Sequence, residues 1–275
     1  MKRIGESLLV ALLLATKLQA WDSEKISLPT SANLSRADIY VHHAGSHPAG
    51  TLILCPGNNG NGEEMADGFQ WRSFAQKQNL NLVGLSFASS DESPGEGYFK
   101  AETGSGNVLL EELSHAFGSE QSPLLLYGFS RGAQFVYSFA QWKPDRVLAW
   151  CAYSATEWQT PARNTSEPRG IIACGDEDEP NYSSAAFQFL KGRSMEEPWT
   201  WVSLARVGHS RSAALEAFAR AYFASVLLNP GAKGIWLDVD TKSPATTDDI
   251  QEHPALAAWL PDENVAGLWK RLHQP

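Results

Sequence analysis

The sequence predicts an α/β fold, a mostly parallel central sheet with helices on both faces. Three features carry this expectation. Thr51–Cys55, Leu124–Tyr127 and Arg146–Tyr153 are runs too short and too apolar for surface helices, which is how strands covered on both faces read. Segments with helical spacing, such as 63–78 and 108–117, alternate with these runs, and strand, helix, strand is the crossover unit of a parallel sheet. Of the 275 residues, 43% are hydrophobic and 11% aromatic, enough for one large core. Residues 21–275 are therefore expected to form a single domain, with its core at about 50–228 and a C-terminal extension at 229–275.

Ahead of that domain, Met1-Lys2-Arg3 is basic, Leu8 to Ala15 is apolar, and Leu18-Gln19-Ala20 ends on a small residue. These are the three parts of a secretory signal peptide, so residues 1–20 are expected to be removed and the protein to be secreted, to the periplasm or outside the cell. The apolar run is far shorter than the ~20 residues a membrane span needs. The chain carries 22 Lys and Arg against 31 Asp and Glu; without Lys2, Arg3, Lys17 and Glu6 of the leader the balance is 19 against 30, net −11. An acidic surface excludes nucleic acid as a partner, has little attraction for anionic lipid and favours a neutral substrate. Cys55, Cys151 and Cys174 lie within or at the ends of strand-like runs and lack the close spacing of a zinc site. Export would allow one bridged pair, but their placement on different strands favours three buried thiols.

Taken in order, Ile26–Leu34 reads as an opening strand and turn, and Ala37–His42 alternates like an edge strand. His42, His43 and His47 crowd there; no fourth ligand accompanies them, so they are expected to be polar edge-strand residues and not a metal site. Thr51–Cys55 empties into Pro56-Gly57-Asn58-Asn59-Gly60-Asn61-Gly62, a loop that tolerates unusual dihedrals and leaves N–H groups pointing outward. A helix over 63–78 should turn Met65, Phe69, Phe74 and Ala75 inward, and Leu80–Phe87 should be the next strand. The loop 88–106, rich in glycine and proline, should emerge at the same sheet end as residue 130; Tyr98 and Phe99 in it either touch a substrate or cover that end. In the helix at 108–117, Leu109, Leu110, Leu113 and Phe117 share a stripe.

The chain is organised around Leu124-Leu125-Leu126-Tyr127-Gly128-Phe129-Ser130-Arg131-Gly132. A strand stops at a serine, and Phe135, Val136, Phe139 and Ala140 then recur at helical spacing. Reversing a strand into a helix so quickly brings the flanking backbones together, and glycine at 128 and 132 removes the collision. The serine can then hold a strained conformation with its oxygen projecting from the carboxyl end of the sheet. Further strands are expected at Arg146–Tyr153, Ile171–Cys174 and Trp199–Ala205, with a helix at 182–191. The first two are joined by a short polar loop at 154–169. Ile171–Cys174 ends in Gly175-Asp176-Glu177-Asp178-Glu179-Pro180, and Trp199–Ala205 is followed by Val207-Gly208-His209-Ser210 and a helix bearing Leu215, Phe218, Tyr222 and Val226. Four successive acids at a strand end repel one another unless a cation, a metal or water relieves them; the alternating ligands of a calcium loop are lacking. In the extension, Ile235–Val239 is a candidate strand, Glu263–His273 a candidate helix, and Trp236, Trp259 and Trp269 candidate packing residues.

The Gly128-Phe129-Ser130-Arg131-Gly132 turn, in its strand-then-helix context, resembles the nucleophile elbow of the α/β-hydrolase superfamily. The chain order Ser130, Asp178, His209 is similar to that of the superfamily's triad, and Pro56-Gly57-Asn58 resembles its oxyanion loop, with proline in place of the commoner histidine. The resemblance covers about residues 50–228 and implies a secreted serine esterase, like the dienelactone-hydrolase or polyester-hydrolase branch. It further implies a short or absent lid, since only the 154–169 loop stands where lipases of the superfamily insert one. Ser130 would be the nucleophile, His209 the base and Asp178 the orienting acid, with Asp176 as the alternative; the N–H groups of Asn58 and Arg131 would form the oxyanion hole. No cofactor and no metal is expected, the partner is a small-molecule or polymeric ester, and the chain should be a monomer. Amide or peptide hydrolysis uses the same groups, and a silent binding protein on a hydrolase scaffold is the reading from another class.

Overall fold

The computed structural model describes residues 23–30, 33–89, 97–118, 122–161 and 168–272; the expected signal peptide lies outside them. In chain order the elements are β1 (Glu24–Ser27), β2 (Arg36–His42), β3 (Gly50–Cys55), α1 (Gly62–Asp67), α2 (Trp71–Lys77), β4 (Leu80–Ala88), α3 (Ser105–Phe117), β5 (Leu124–Phe129), α4 (Arg131–Trp142), β6 (Val147–Tyr153), β7 (Arg169–Gly175), α5 (Asn181–Arg193), β8 (Trp199–Leu204), α6 (Ala213–Leu228), β9 (Ile235–Asp238), α7 (Thr247–Glu252), β10 (Ala257–Leu260) and α8 (Glu263–Leu272). The main sheet has eight strands in the order β1-β2-β4-β3-β5-β6-β7-β8. From β4 to β8 every neighbouring pair is parallel, whereas β1 and β2 join antiparallel at one side.

Parallel neighbours force the chain to cross over a face between strands, so both faces are covered and the strands read as apolar runs. Side-chain alternation then splits the core in two. Ile53, Leu126, Trp150 and Ile172 point into one layer with residues of α3, α4 and α5. Leu52, Leu54, Leu125, Cys151 and Ile171 point into the other, with residues of α1, α2, α6 and α8. All three cysteines are buried and free.

Several expectations need correction. Ala37–His42 is not an edge strand: β2 lies between β1 and β4, and His42 is fully buried while His43 and His47 are exposed. The helix expected over 63–78 is two helices separated by a kink, because Phe69 (φ 46°) and Gln70 (φ 64°) are left-handed. That kink turns Phe69 outward, 38% exposed, and gives its inward place to fully buried Trp71. In α3, Leu109 and Leu113 are buried, but Leu110 and Phe117 are only half-buried. Tyr98 and Phe99 are buried against one another, with Tyr98 also against Phe87 and Phe135, so they cover the sheet end.

The C-terminal extension is bound into the fold. β9 and β10 form a separate antiparallel pair beside β8. Trp269 is fully buried and its indole N–H donates to the Trp201 carbonyl at 2.6 Å, while the Arg193 Nε–H donates to the Ala257 carbonyl at 2.6 Å. Because β8 ends the sheet, the Trp269 contact occupies part of a free edge, while the Arg193 contact ties β10 to α5. Trp269→Ala is therefore expected to cost about 3–5 kcal/mol, from the vacated volume and the orphaned carbonyl. Urea unfolding at neutral pH checks this; a loss under 1 kcal/mol would make the extension an appendage.

Candidate active site

Ser130 sits between β5 and α4 with φ 55° and ψ −122°, a left-handed conformation that a serine adopts only when its surroundings impose it. Those surroundings are backbone. A Cβ at residue 128 would lie 2.3 Å from the Gly132 carbonyl oxygen, and one at residue 132 would lie 2.0 Å from the carbonyl oxygen of Cys55. The Ser130 N–H donates to the Tyr153 carbonyl at 2.9 Å, and its own carbonyl accepts from the N–H groups of Ala133 and Gln134. Both sides of the turn are thus held, and the hydroxyl stands above the carboxyl ends of the strands.

The structure brings Ser130, His209 and Asp178 together. His209 Nε2 lies 2.9 Å from Ser130 Oγ, and His209 Nδ1 lies 2.9 and 3.1 Å from the two oxygens of Asp178. Asp178 is 4% exposed, whereas the His209 side chain is 41% exposed, so the carboxylate is hidden behind a ring that solvent and small molecules can reach. Burial pushes the Asp178 carboxyl up, but hydrogen bonds from His209, Ser154 and Asn181 outweigh it and hold the group below the ordinary carboxylate range. A charged Asp178 accepts, so Nδ1 of the ring carries the proton and Nε2 is left to accept from the serine hydroxyl.

Asn181, Ser154 and Cys174 around the carboxylate were not anticipated from sequence. Asn181 Nδ2 donates to Asp178 Oδ1 at 2.9 Å; its 3.3 Å approach to His209 Nδ1 would set two donors face to face, so the amide serves the carboxylate. Burial raises the Cys174 thiol to about 12, so it stays protonated and contacts Asp178 Oδ2 at 3.6 Å as a weak donor. Asn181 lies just before the helix expected at 182–191, Ser154 opens the polar loop at 154–169, and Cys174 ends a strand, so none of the three carried a signal of this role.

Asp176 is placed elsewhere. It is exposed, and its Oδ1 accepts from the Arg206 N–H at 2.7 Å, holding the loop that carries His209. Gly57 packs on Ser130, since a Cβ there would lie 3.3 Å from Ser130 Cβ. The Gly60 N–H donates to the Gly57 carbonyl at 2.9 Å, closing a turn in which the N–H groups of Asn58 and Asn59 take no part. Arg131 opens α4, where an N–H has no intrahelical acceptor and the helix dipole is positive. Its guanidinium is drawn aside over the Phe99 ring, 4.5 Å from the centroid. Among the described residues no cluster of His, Cys, Asp and Glu is arranged to hold a metal ion, and no helix is long and apolar enough to cross a membrane. The loop at the lid position falls partly at 162–167, outside the described residues.

No family model and no curated sequence matches the chain. Its fold does have solved counterparts. A ferulic acid esterase from Anaeromyces mucronatus is similar over 72% of this chain and 88% of its own, at 13% identity and a TM-score of 0.56. A poly(3-hydroxybutyrate) depolymerase from Bordetella parapertussis is similar over 74% of this chain and 88% of its own, at 18% identity and 0.54. The fluorophosphonate-binding serine hydrolase F of Staphylococcus aureus is similar over 75% of this chain and 99% of its own, at 14% identity and 0.52. With the strand order, these likenesses show the fold: the chain has the α/β-hydrolase fold.

Proposed function

We propose that this chain is a secreted serine hydrolase that cleaves carboxylic esters through a covalent acyl intermediate. The observation that carries the reading is the unbroken line from Ser130 Oγ through His209 to buried Asp178, with 2.9 Å at each junction. A serine hydroxyl is a poor nucleophile at neutral pH, so a base must take its proton as it attacks. His209 Nε2 takes that proton while Ser130 Oγ bonds to the substrate's carbonyl carbon. Asp178 keeps the ring in the correct tautomer and stabilises the imidazolium without itself becoming protonated.

The charge that develops on the carbonyl oxygen is received by the N–H groups of Asn58 and Arg131, each worth about 3 kcal/mol of barrier. His209 then protonates the departing alkoxide, the acyl group stays on Ser130, and water activated by the same ring releases the acid. The basic-apolar-small order of residues 1–20 supports export. An alkoxide or a thiolate leaves an acyl carbon more easily than an amide nitrogen does, and the hydrolases similar in fold bear names for ferulic acid, S-formylglutathione and poly(3-hydroxybutyrate). Carboxylic esters are accordingly the first class to assay; amide hydrolysis would need the same groups plus firmer protonation of the leaving nitrogen.

A fluorophosphonate probe and a series of p-nitrophenyl esters of rising chain length test the reading. Wild-type protein should be labelled and should turn over the short esters. Ser130→Ala should abolish labelling, and His209→Ala should lower kcat by roughly four to six orders of magnitude with the fold intact. An unlabelled, correctly folded wild type would leave a binding protein on this scaffold.

Asp178 gives a second test. Its folded-state pKa is depressed, so its contribution to stability is fully present above the unfolded-state value and is lost as pH falls through the folded-state value. The stability gap between wild type and Asp178→Asn, followed by urea unfolding, should be flat at neutral pH and close on acidification below about pH 4. Asp176→Asn should leave kcat within a few-fold of wild type, whereas Asp178→Asn should lower it by about 10⁴.

A further inference from the structure

We propose that Glu216, a buried carboxylate outside the serine-histidine-aspartate line, is the positioning residue for His209. This inference rests on the hydrolase reading above. Arg211 lies two residues beyond His209, and its Nε and Nη2 donate to the two oxygens of Glu216 at 2.7 and 2.8 Å, a bidentate pair. Glu216 is fully buried in the first turn of α6, and its Oε2 also accepts from the Trp71 indole N–H at 2.5 Å. Trp71 is fully buried and leans on Tyr127 of β5 with ring centroids 4.8 Å apart. Residue 127 is three positions before the serine. A continuous chain of contacts therefore links the segment carrying the base to the strand carrying the nucleophile.

The kink between α1 and α2 belongs to the same arrangement. Phe69 lies under the Arg211 guanidinium, 4.7 Å from its ring centroid, and the Phe69 carbonyl accepts from Arg220. Two non-glycine residues in left-handed conformations are unfavourable, and they persist where neighbours hold them. Here the neighbours are two arginines, one from the histidine loop and one from α6.

The loop is fastened elsewhere too, which defines what Glu216 adds. Upstream of His209, the Arg206 N–H is held by Asp176 and the Val207 carbonyl accepts from the Glu177 N–H at 3.0 Å. Downstream, the Tyr153 hydroxyl donates to the Ser210 carbonyl at 2.5 Å. Apart from the His209–Asp178 contact itself, among the described residues the Arg211–Glu216 pair is the one that ties a side chain of this loop to a buried charge. Bidentate geometry fixes direction as well as distance, and a misplacement of about 1 Å at a reacting group can cost 10²-fold in rate.

Glu216→Gln keeps the shape and removes the charge. Its kcat on p-nitrophenyl acetate is expected to fall roughly 10- to 100-fold with KM within about twofold, because the variant disturbs the base and leaves substrate contacts alone. The low-field proton resonance of the His209–Asp178 hydrogen bond should broaden or disappear in the same variant; this signal can be read whether or not any ester is cleaved. Arg211→Met with Glu216→Leu removes both charges together and should recover most of the lost thermal stability while kcat stays low. If Glu216→Gln does not fold, Arg211→Lys, which keeps the charge and loses the fork, gives the same readouts. Wild-type kcat and an unchanged low-field resonance in the folded variant, or kcat restored together with stability in the double variant, would overturn the proposal. A wild type that shows the resonance but neither labelling nor turnover would instead count against the hydrolase reading.

Discussion

At residue 132 the backbone of one element presses on the carbonyls that end another, and the geometry of this protein follows from that contact. The first turn of α4 lies so close to the end of β3 that no side chain fits between them. The elbow is thereby wedged between two loops, those after β3 and β6. The loop after β3 packs Gly57 on the serine, and the carbonyl of Tyr153, the last residue of β6, takes the serine's N–H. The strain at Ser130 is thus maintained by the ends of β3, β5 and β6 together with the first turn of α4.

Around this fixed serine the other groups are ordered by burial. Asp178 is deepest and has several donors; His209 is half-exposed; the serine oxygen faces outward. A hidden anion beside a reachable ring stabilises a cation on that ring just when a proton arrives there, with no water needing to reorganise around the carboxylate. The acidic strand end, unfavourable on paper, is relieved by division of labour. Asp178 turns inward to donors, Asp176 holds a backbone N–H, and Glu179 accepts from the Ser183 hydroxyl.

Much of this was legible because strand ends leave strong marks. An apolar run that stops at a glycine, a serine or an acid shows where the chain reaches the sheet rim; the resemblance to the α/β-hydrolase chain order then pointed to Ser130, His209 and Asp178, with Asp176 as the alternative, and the structure sets the first three within hydrogen-bonding distance. What escaped was whatever depends on partners distant in sequence. The kink at Phe69 and Gln70 follows Gly68, which caps α1, but the left-handed conformations of the two non-glycine residues are held by Arg211 and Arg220, some 140 to 150 residues away. Glu216 reads as an ordinary acid in a helix's first turn, and its burial appears only once Trp71 and Arg211 converge on it. Ala37–His42 alternates like an exposed edge, but β1, four residues long and weakly patterned, covers it.

The indole of Trp269 against the Trp201 carbonyl bears on how the molecule behaves among its own copies. A sheet terminus with unspent carbonyls invites a strand from another molecule, and here that invitation is withdrawn by the protein's own final helix. The opposite border is closed differently, by a four-residue strand bearing Glu24 and Lys25. Concentrated solutions of this protein should accordingly stay free of edge-to-edge polymers for as long as the last forty-odd residues remain docked.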